Sequence, residues 1–278
     1  MNPHIQINHD LCIRCGFCSR ICSALVYTQE PQQFPHVETT EHCFFCGHCV
    51  GVCPKNAITH SAFSPEKIHP FSYTDFPTPE QLMLLLKARR SNRALSDRSI
   101  PQADLERILE AAHTAPTARN TQQVSLTLIT DSKQLQAVTG FTINQFLSVG
   151  KKLQNPLLKP VLKLFMPEVF KYLPLIERMK NIPAGADPIL RGATALILIH
   201  TPVKSRFGSE DANLAYQNAS LMAECLGISQ FYTGFVLSAI KQDKKQNLEK
   251  SLGINGQIHA GMALGLPEFR FKNYVDRS

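Results

Sequence analysis

Two runs of cysteines near the N-terminus constrain this chain more than any other feature. Eight of its nine cysteines lie between residues 12 and 53. The first run is Cys12-x2-Cys15-x2-Cys18-x3-Cys22, and the second is Cys43-x2-Cys46-x2-Cys49-x3-Cys53. Because the same spacing occurs twice, the segment is an internal repeat.

This spacing is typical of segments that hold cubane iron–sulfur clusters. Three closely spaced thiolates can reach three irons of one cube, and the fourth cysteine reaches the other cube. We therefore expect two [4Fe-4S] clusters, one on Cys12, Cys15, Cys18 and Cys53 and the other on Cys43, Cys46, Cys49 and Cys22. Structural zinc is the alternative, but it needs only four ligands on two knuckles. Residues 5–58 resemble a bacterial-type ferredoxin with two four-iron clusters.

The composition bounds the rest of the chain. Its 278 residues are 44% hydrophobic, which is enough to build a packed core. The net charge of +7 combines −2 over residues 1–54 with +9 over the remainder. No nucleic-acid motif accompanies the basic part, so we expect no nucleic-acid partner. We also expect no membrane span and a cytoplasmic location, since neither a long apolar run nor a secretory signal is present.

The order of motifs predicts three parts: a two-cluster domain over 1–58, a proline-rich linker over 59–79, and a larger domain over 80–278. In the larger domain, apolar patterns predict helices after Thr78 and Pro101 and over 212–226. They also predict strands over 124–129, 193–199 and 258–266. Strands and helices mix without a regular βαβ order, which favours an α+β fold. Cys225, within the last predicted helix, is expected to be a buried structural thiol.

Four motifs of the larger domain, in the right order, resemble the flavin-dependent nitroreductase family. They are Arg89-Arg90-Ser91-Asn92-Arg93, Pro116-Thr117-Ala118-Arg119-Asn120-Thr121-Gln122, the helix from Asp211 to Ser229, and Ala263-Leu264-Gly265-Leu266-Pro267. The resemblance spans about residues 80–278. The whole chain is similar to ferredoxin–nitroreductase fusions, which implies an N-terminal ferredoxin-like domain followed by a nitroreductase-like α+β sandwich.

The resemblance implies bound FMN at the interface of a homodimer, and it implies roles for particular residues. Cations and a hydroxyl suited to the FMN phosphate come from Arg89, Arg90, Ser91 and Arg93. The pyrimidine edge of the flavin is assigned to Asn120 and Gln122, and the ring to the segment with Thr233 and Gly234. Two C-terminal basic residues, Lys272 and Arg277, fall near the family's further phosphate contacts. A solvated basic helix end and plain turn residues are the alternatives for the first two groups.

Residues 144–182 form an apolar, basic insert with four prolines, and residues 151–180 carry a net charge of +5. We expect short helices that cap the flavin pocket and set the substrate size. Docking of an acidic electron carrier or of a membrane surface is the alternative.

Together these features predict a nitroreductase-family flavin oxidoreductase, an enzyme in which the cofactors carry the redox chemistry and no catalytic residue is named. The clusters would relay electrons from an external donor, which is ferredoxin, flavodoxin or NAD(P)H, to FMN. The acceptor would be a small molecule of the nitroaromatic, quinone or enone class. The alternative is a non-enzymatic electron carrier that relays between a low-potential donor and a protein partner.

Overall fold

The computed structural model describes residues 2–157, 159–165, 167–183 and 186–276, and the chain divides into two compact units. The first unit is Met1–Pro77 with Ala118–Thr121, and the second is Thr78–Thr117 with Gln122–Ser278. The three-part division expected from the sequence, with boundaries near residues 58 and 79, remains a proposal.

The first unit shows the repeat as two strand–helix–strand halves. Its elements are β1 (Ile5–Ile7), α1 (Phe17–Ile21), β2 (Tyr27–Thr28), β3 (His36–Val37), α2 (His48–Gly51) and β4 (Ile58–His60). The halves are interlaced, because β1 pairs antiparallel with β4 and β2 with β3. A small core of Ile5, Val26, Val50 and Ile58 lies between them.

After β4, the first unit continues through two short 3-10 helices, Pro65–Lys67 and Tyr73–Asp75. The rings of Phe71, Tyr73 and Phe76 pack on one another with centroids 5.4–5.7 Å apart. All three side chains are nevertheless exposed. The proline-rich segment is therefore locally ordered by its own aromatic residues.

The second unit contains most of the α-helical residues in the described part of the chain and one four-stranded sheet. Its elements are α3 (Pro79–Ala88), α4 (Gln102–His113), β5 (Ser125–Ile129), α5 (Ser132–Gln154), α6 (Lys159–Phe165), α7 (Leu173–Arg178), β6 (Ala195–Thr201), α8 (Gly208–Cys225), β7 (Ser229–Tyr232), α9 (Gly234–Gln242), α10 (Asn247–Ser251) and β8 (Gln257–Gly265). Further 3-10 turns cover Ala118–Asn120, Pro167–Tyr172 and Met179–Asn181.

The sheet of the second unit has the order β5-β6-β8-β7, and every neighbouring pair is antiparallel. Strand β6 is buried on both faces. Leu196 and Leu198 face one apolar core, whereas Ala195, Ile197 and Ile199 face the other. Helices on both faces of an antiparallel sheet make the α+β arrangement that the sequence predicts.

Local signals in the sequence explain where several elements begin and end. The side chain of Thr78 accepts a hydrogen bond from the Gln81 backbone N–H, and Gln81 Oε1 accepts one from the Thr78 backbone N–H, so a capping box starts α3. After α8, Gly227 adopts a φ of +70° and allows the chain to leave the helix. The expectation for Cys225 was wrong: its thiol is exposed, because it lies on the outer face of α8.

The insert begins differently from the expectation. Helix α5 starts at Ser132, where the Asp131 side chain accepts from the Gln134 N–H, and it runs on to Gln154. Beyond it, the prolines divide the chain into the expected short helices. In the described ranges, no helix combines the length and apolarity that crossing a membrane requires.

Candidate functional site

The eight cysteines of the repeat line two cavities of the first unit. The first cluster cavity is lined by Cys12, Cys15, Cys18 and Cys53. The second cluster cavity is lined by Cys22, Cys43, Cys46 and Cys49. Each cavity therefore takes three thiols from one half of the repeat and the fourth from the other half. The interlaced strands produce this exchange, since each half ends beside the start of the other.

The backbone of each half is shaped to hold a group with sulfur ligands. In the two loops, Gly16 and Gly47 adopt φ values of +74° and +70°, in the left-handed region that glycine adopts without strain. The N–H of Val26 donates to Cys22 Sγ at 3.4 Å, and that of Ala57 donates to Cys53 Sγ at 3.2 Å. Backbone donors aimed at sulfur suit thiolates that share negative charge with a cluster.

Burial raises the pKa of the thiols of Cys18, Cys43 and Cys49. These thiols therefore hold their protons at neutral pH in the absence of a cation. Iron must displace those protons when it binds, and its positive charge supplies the compensation that the buried thiolates need.

His60 is a polar residue of the second cluster cavity that the motif search missed. It is 2% exposed, and its ring lies against the rings of Phe45 and Phe63. Its Nε2 is 3.6 Å from Cys43 Sγ, and its Nδ1 accepts the Ala62 N–H at 3.2 Å. Burial lowers the pKa of its imidazole. The repeat offers one signal for this residue. His60 and Gln29 occupy the same position after the last cysteine of their halves, so a comparison of the halves shows a histidine in place of a glutamine.

A larger cavity of about 510 Å³ lies in the second unit. Three sequence-predicted flavin residues, Arg93, Thr233 and Gly234, line it. Its other walls are mostly apolar and include Phe146, Val149, Tyr172, Ile176, Phe231 and Phe235. Four of these, namely Phe146, Val149, Tyr172 and Ile176, belong to the insert, which therefore contributes directly to the cavity wall.

Polar side chains also line this cavity, among them Arg93, Arg191, Gln242 and Thr233. The guanidinium of Arg93 stands 5.5 Å from the centroid of the Phe231 ring, a cation–π contact. The hydroxyl of Thr233 is buried and has no hydrogen-bond partner within the described residues. This hydroxyl lies beside Gly261 of β8. Because an unpaired buried hydroxyl costs free energy, a ligand that reaches it would stabilise the site.

The other basic residues of the predicted phosphate motif point elsewhere. Arg90 and Lys272 line a separate cavity of about 250 Å³, and Arg90 Nη2 donates to the Val275 carbonyl at 2.7 Å. Ser91 forms a parallel bridge with Gln230 at the start of β7. Arg89 caps the C-terminus of α3. Burial raises the pKa of the Glu224 carboxyl, and the nearby charge of Arg89 partly offsets this rise. Arg277 lies outside the described residues.

Asn120 and Gln122, the predicted partners of the flavin edge, have other hydrogen bonds. Asn120 Nδ2 donates to the carbonyls of Phe44 and Phe45 at 3.0 and 2.9 Å, within the first unit. These two residues lie between Cys43 and Cys46, so Asn120 supports a cysteine loop. The backbone N–H of Gln122 donates to Thr117 Oγ1, and both Asn120 and Gln122 have positive φ values. Neither residue lines the 510 Å³ cavity.

Comparisons with known families divide the chain as its motifs do. Residues 86–266 match the nitroreductase family, and residues 4–54 match the 4Fe-4S dicluster domain. A protein of Archaeoglobus fulgidus, provisionally named NADH dehydrogenase/NAD(P)H nitroreductase, is 24% identical over 68% of this chain and 87% of its own length. An uncharacterized ferredoxin of Methanocaldococcus jannaschii is 32% identical over 24% of this chain and 90% of its own length.

Solved structures share the fold of the second unit. A nitroreductase with bound FMN from Bacteroides fragilis superposes with a TM-score of 0.55 and 21% identity, over 71% of this chain and 95% of that one. A second FMN-bound nitroreductase, from Desulfitobacterium hafniense, gives a TM-score of 0.54 and 17% identity over 70% and 93%. At these identities the likeness concerns the fold alone.

Proposed function

Since the chain belongs to the nitroreductase family and carries a 4Fe-4S dicluster domain, we propose that it is an FMN-dependent oxidoreductase fed through two [4Fe-4S] clusters. The observation that carries the proposal is the sorting of eight cysteines into two four-thiol cavities, in one chain with a nitroreductase fold. Bound clusters would supply one-electron transfer, and bound FMN would accept single electrons and reduce a small molecule. The protein contributes ligands, orientation and exclusion of water.

The first cluster is assigned to Cys12, Cys15, Cys18 and Cys53, and the second to Cys22, Cys43, Cys46 and Cys49. The arrangement of the cysteines supports this assignment. Each set of four thiols lines one cavity, and a backbone N–H donates to one sulfur in each set. Eight thiols must stay reduced to bind iron. That requirement favours a reducing compartment such as the cytoplasm.

The FMN is assigned to the 510 Å³ cavity of the second unit. Its support is the orphaned hydroxyl of Thr233, the cation of Arg93 and the apolar aromatic walls that would pack on a planar ring. The start of α9 at Gly234 lies at the same cavity. Arg89, Arg90, Ser91 and Lys272 remain candidates for the phosphate, and Asn120 and Gln122 for the flavin edge. The side chains of Arg90 and Asn120 donate to backbone carbonyls away from this cavity.

The small acceptor is proposed to be a nitroaromatic, a quinone or an enone. Planar, weakly polar molecules of this kind match a cavity whose walls come from Phe146, Tyr172, Ile176 and Phe235. The insert would act as the cap of this site. Its exposed apolar residues, Leu157, Val161, Leu164 and Phe165, leave room for a second role in binding a partner.

A homodimer is proposed as the working state, with the FMN at its interface. The support is the apolar surface of α3, a ten-residue helix in which no residue is buried. Leu82, Met83, Leu84 and Leu86 are each more than two-fifths exposed on it. A helix with this surface needs a partner, since exposed apolar patches of this kind mark interaction sites.

The test is an anaerobic titration of the purified chain with reduced ferredoxin, reduced flavodoxin, NADH and NADPH in separate experiments, followed by cluster and flavin absorbance. A nitroaromatic is added last. We expect a protein donor to reduce the clusters and then the flavin, and the nitroaromatic to reoxidise both. The triple variant Cys12→Ser, Cys15→Ser, Cys18→Ser should lose this route, whereas the control Cys225→Ser should keep it.

Two results would change the assignment. Equal rates of flavin reduction by NAD(P)H in the wild type and in the triple cysteine variant would remove the clusters from the entry route. A flavin that is reduced but that no small acceptor reoxidises would favour the electron carrier, in which a partner protein takes the electrons.

A further inference from the structure

The two halves of the cysteine repeat differ at the residues that face sulfur. Alignment of the halves on their last cysteines, Cys22 and Cys53, places Tyr27 opposite Ile58 and Gln29 opposite His60. Tyr27 and His60 line the second cluster cavity, whereas Ile58 lines the first. The repeat thus puts two polar side chains at one cavity and an apolar one in the matching place at the other.

Gln29, the counterpart of His60, directs its donors away from sulfur. Its Nε2 donates to the carbonyls of Arg14 and Gln33, at 3.2 and 2.8 Å. His60 instead holds Nε2 at 3.6 Å from Cys43 Sγ. The two halves share one contact, because the N–H groups of Val26 and Ala57 each donate to the last cysteine of their own half. Cys43 Sγ also accepts the Phe45 N–H at 3.4 Å, so the His60 donor would be a second one on this sulfur.

The neighbouring backbone fixes which nitrogen of His60 carries the proton. The Ala62 N–H donates to Nδ1, which must therefore present its lone pair. A neutral imidazole whose Nδ1 accepts carries its hydrogen on Nε2, the atom that faces Cys43 Sγ. The ring cannot turn easily, because it is 2% exposed and lies against Phe45 and Phe63. His60 is thus a fixed N–H donor to a cluster ligand.

From this asymmetry we propose that His60 raises the reduction potential of the second cluster above that of the first, so that an electron shared by the two clusters resides mainly on the second. A hydrogen bond to a ligand sulfur stabilises the more negative, reduced cluster more than the oxidised one. The buried hydroxyl of Tyr27 lies at the same cavity and interacts with the thiol of Cys49, so it adds polarity there. His60 is a positioning residue: it acts through Cys43 and touches no substrate. This inference rests on the proposed binding of two clusters.

The experiment is a redox titration of the anaerobically reconstituted full chain, followed by electron paramagnetic resonance. Iron and sulfide contents are measured first for every variant. We expect two one-electron steps in the wild type. In His60→Phe, which fills the space without a donor, the higher potential should fall by about 59 mV, which corresponds to a tenfold shift of the electron toward the first cluster. The lower potential should stay in place.

A matched series separates the hydrogen bond from packing. His60→Gln can present an amide N–H near the position of Nε2, so it should restore the higher potential. His60→Met, an apolar variant without a planar ring, should behave like His60→Phe and replaces it if that variant does not load iron. The control His36→Phe changes an exposed histidine of β3 and should leave both potentials unchanged.

The outcomes distinguish this inference from the proposed function. Unchanged potentials in fully loaded His60→Phe and His60→Met, or an equal fall in both potentials, would overturn the role of His60. A wild-type chain that binds iron but forms no cubane clusters would overturn the proposed function instead.

Discussion

At the scale of single residues, the hydroxyl of Thr233 is the sharpest probe of the flavin cavity. It is buried without a partner at the wall of the 510 Å³ cavity. We expect Thr233→Val to raise the FMN dissociation constant about two- to tenfold, since a neutral hydrogen bond contributes about 0.5–1.5 kcal/mol. The same change should raise the melting temperature of the flavin-free protein, because it removes an unsatisfied group.

Flavin fluorescence titration and thermal unfolding without FMN measure the two effects of this change. The control is Ser238→Ala: Ser238 lines the same cavity, but its hydroxyl already donates to the Gly234 carbonyl. If Thr233→Val stabilises the flavin-bound and flavin-free proteins alike, the hydroxyl does not contact FMN.

Asn120 offers a test between the role expected from the sequence and the contacts in the structure. Its amide donates to the carbonyls of Phe44 and Phe45 in the loop between Cys43 and Cys46. We expect Asn120→Leu to release iron faster under a chelator, because two carbonyls lose their donor at a cost of about 0.5–1.5 kcal/mol each. Flavin content should be unchanged. Loss of flavin with intact clusters would instead support the flavin-edge role that the sequence predicts.

Residue roles followed from the sequence where spacing alone determines them. The cysteine pattern predicts which thiols would share a cluster, because short loops leave few ways to surround a cube. The role of His60 could not be assigned from spacing, since its position depends on the β1–β4 pairing and its ring orientation on the Ala62 N–H. Arg90 and Arg93 are close in sequence and both follow the end of α3, but in this irregular segment they line different cavities, which their spacing alone does not reveal.

At the scale of elements, helix α10 carries a buried acid with a pH signature. Glu249 is 2% exposed, and its Oε2 has no partner within the described residues. Burial, the largest effect, raises the pKa of its carboxyl, and the charge of Asp243 adds to it. The folded state therefore holds the proton more tightly than the unfolded state, and folding stability falls as the pH rises through the raised pKa.

We expect Glu249→Gln to be more stable than the wild type at pH 8, with the difference shrinking as the pH falls through the raised pKa of Glu249. The neutral amide avoids the cost of a buried carboxylate at high pH, whereas at low pH the wild-type carboxyl is protonated too. Melting temperatures across this range measure the difference. The exposed Glu268→Gln should show no such trend, and a constant offset for Glu249→Gln at every pH would contradict the prediction.

Elements with clear periodic patterns or caps were predictable, and others were not. The capping box at Thr78 and the apolar run of β6 stand out in the sequence. Helix α5 was not predicted as one helix, and only the short helices expected within residues 144–182 overlap its C-terminal part. Its buried positions, which include Thr142 and Gly150, are not all strongly apolar. Gly150 lies so close to Ile176 that an added Cβ would meet its Cγ2 at 2.7 Å, a contact that no periodicity reveals.

At the scale of the whole molecule, the exposed face of α3 gives a direct test of the dimer. We expect Leu84→Glu to shift the chain toward monomers and to lower its flavin content, because a carboxylate in an apolar interface loses its hydration without a partner. Leu84 is 57% exposed in the single chain. Light scattering coupled to size-exclusion chromatography measures the mass, and absorbance gives the flavin ratio.

The control for this change is Leu25→Glu, which alters a 76% exposed leucine of the first unit. It should leave both mass and flavin content unchanged. A Leu84→Glu chain that stays dimeric and retains its flavin would place the interface elsewhere.

The broad organisation of the molecule could be read from the sequence, because two dense sets of motifs follow one another along the chain. The membership of residues 118–121 in the first unit could not. It depends on the hydrogen bonds of Asn120 and on the cation–π contact of Arg119 with Phe44, both between segments that are far apart in sequence.

The exchange of Cys22 and Cys53 between the halves would make each cluster a cross-link between them. Each cluster would bind both halves, so losing one would free three cysteines of one half and one of the other. The remaining cluster would then be bound by two halves that are no longer cross-linked by the lost cluster. Damage by oxygen should therefore remove iron in an all-or-none manner: native mass spectrometry of a briefly aerated sample should find chains with both cubes or neither. Loss of either cluster would then lead to loss of both and would end electron transfer through the first unit.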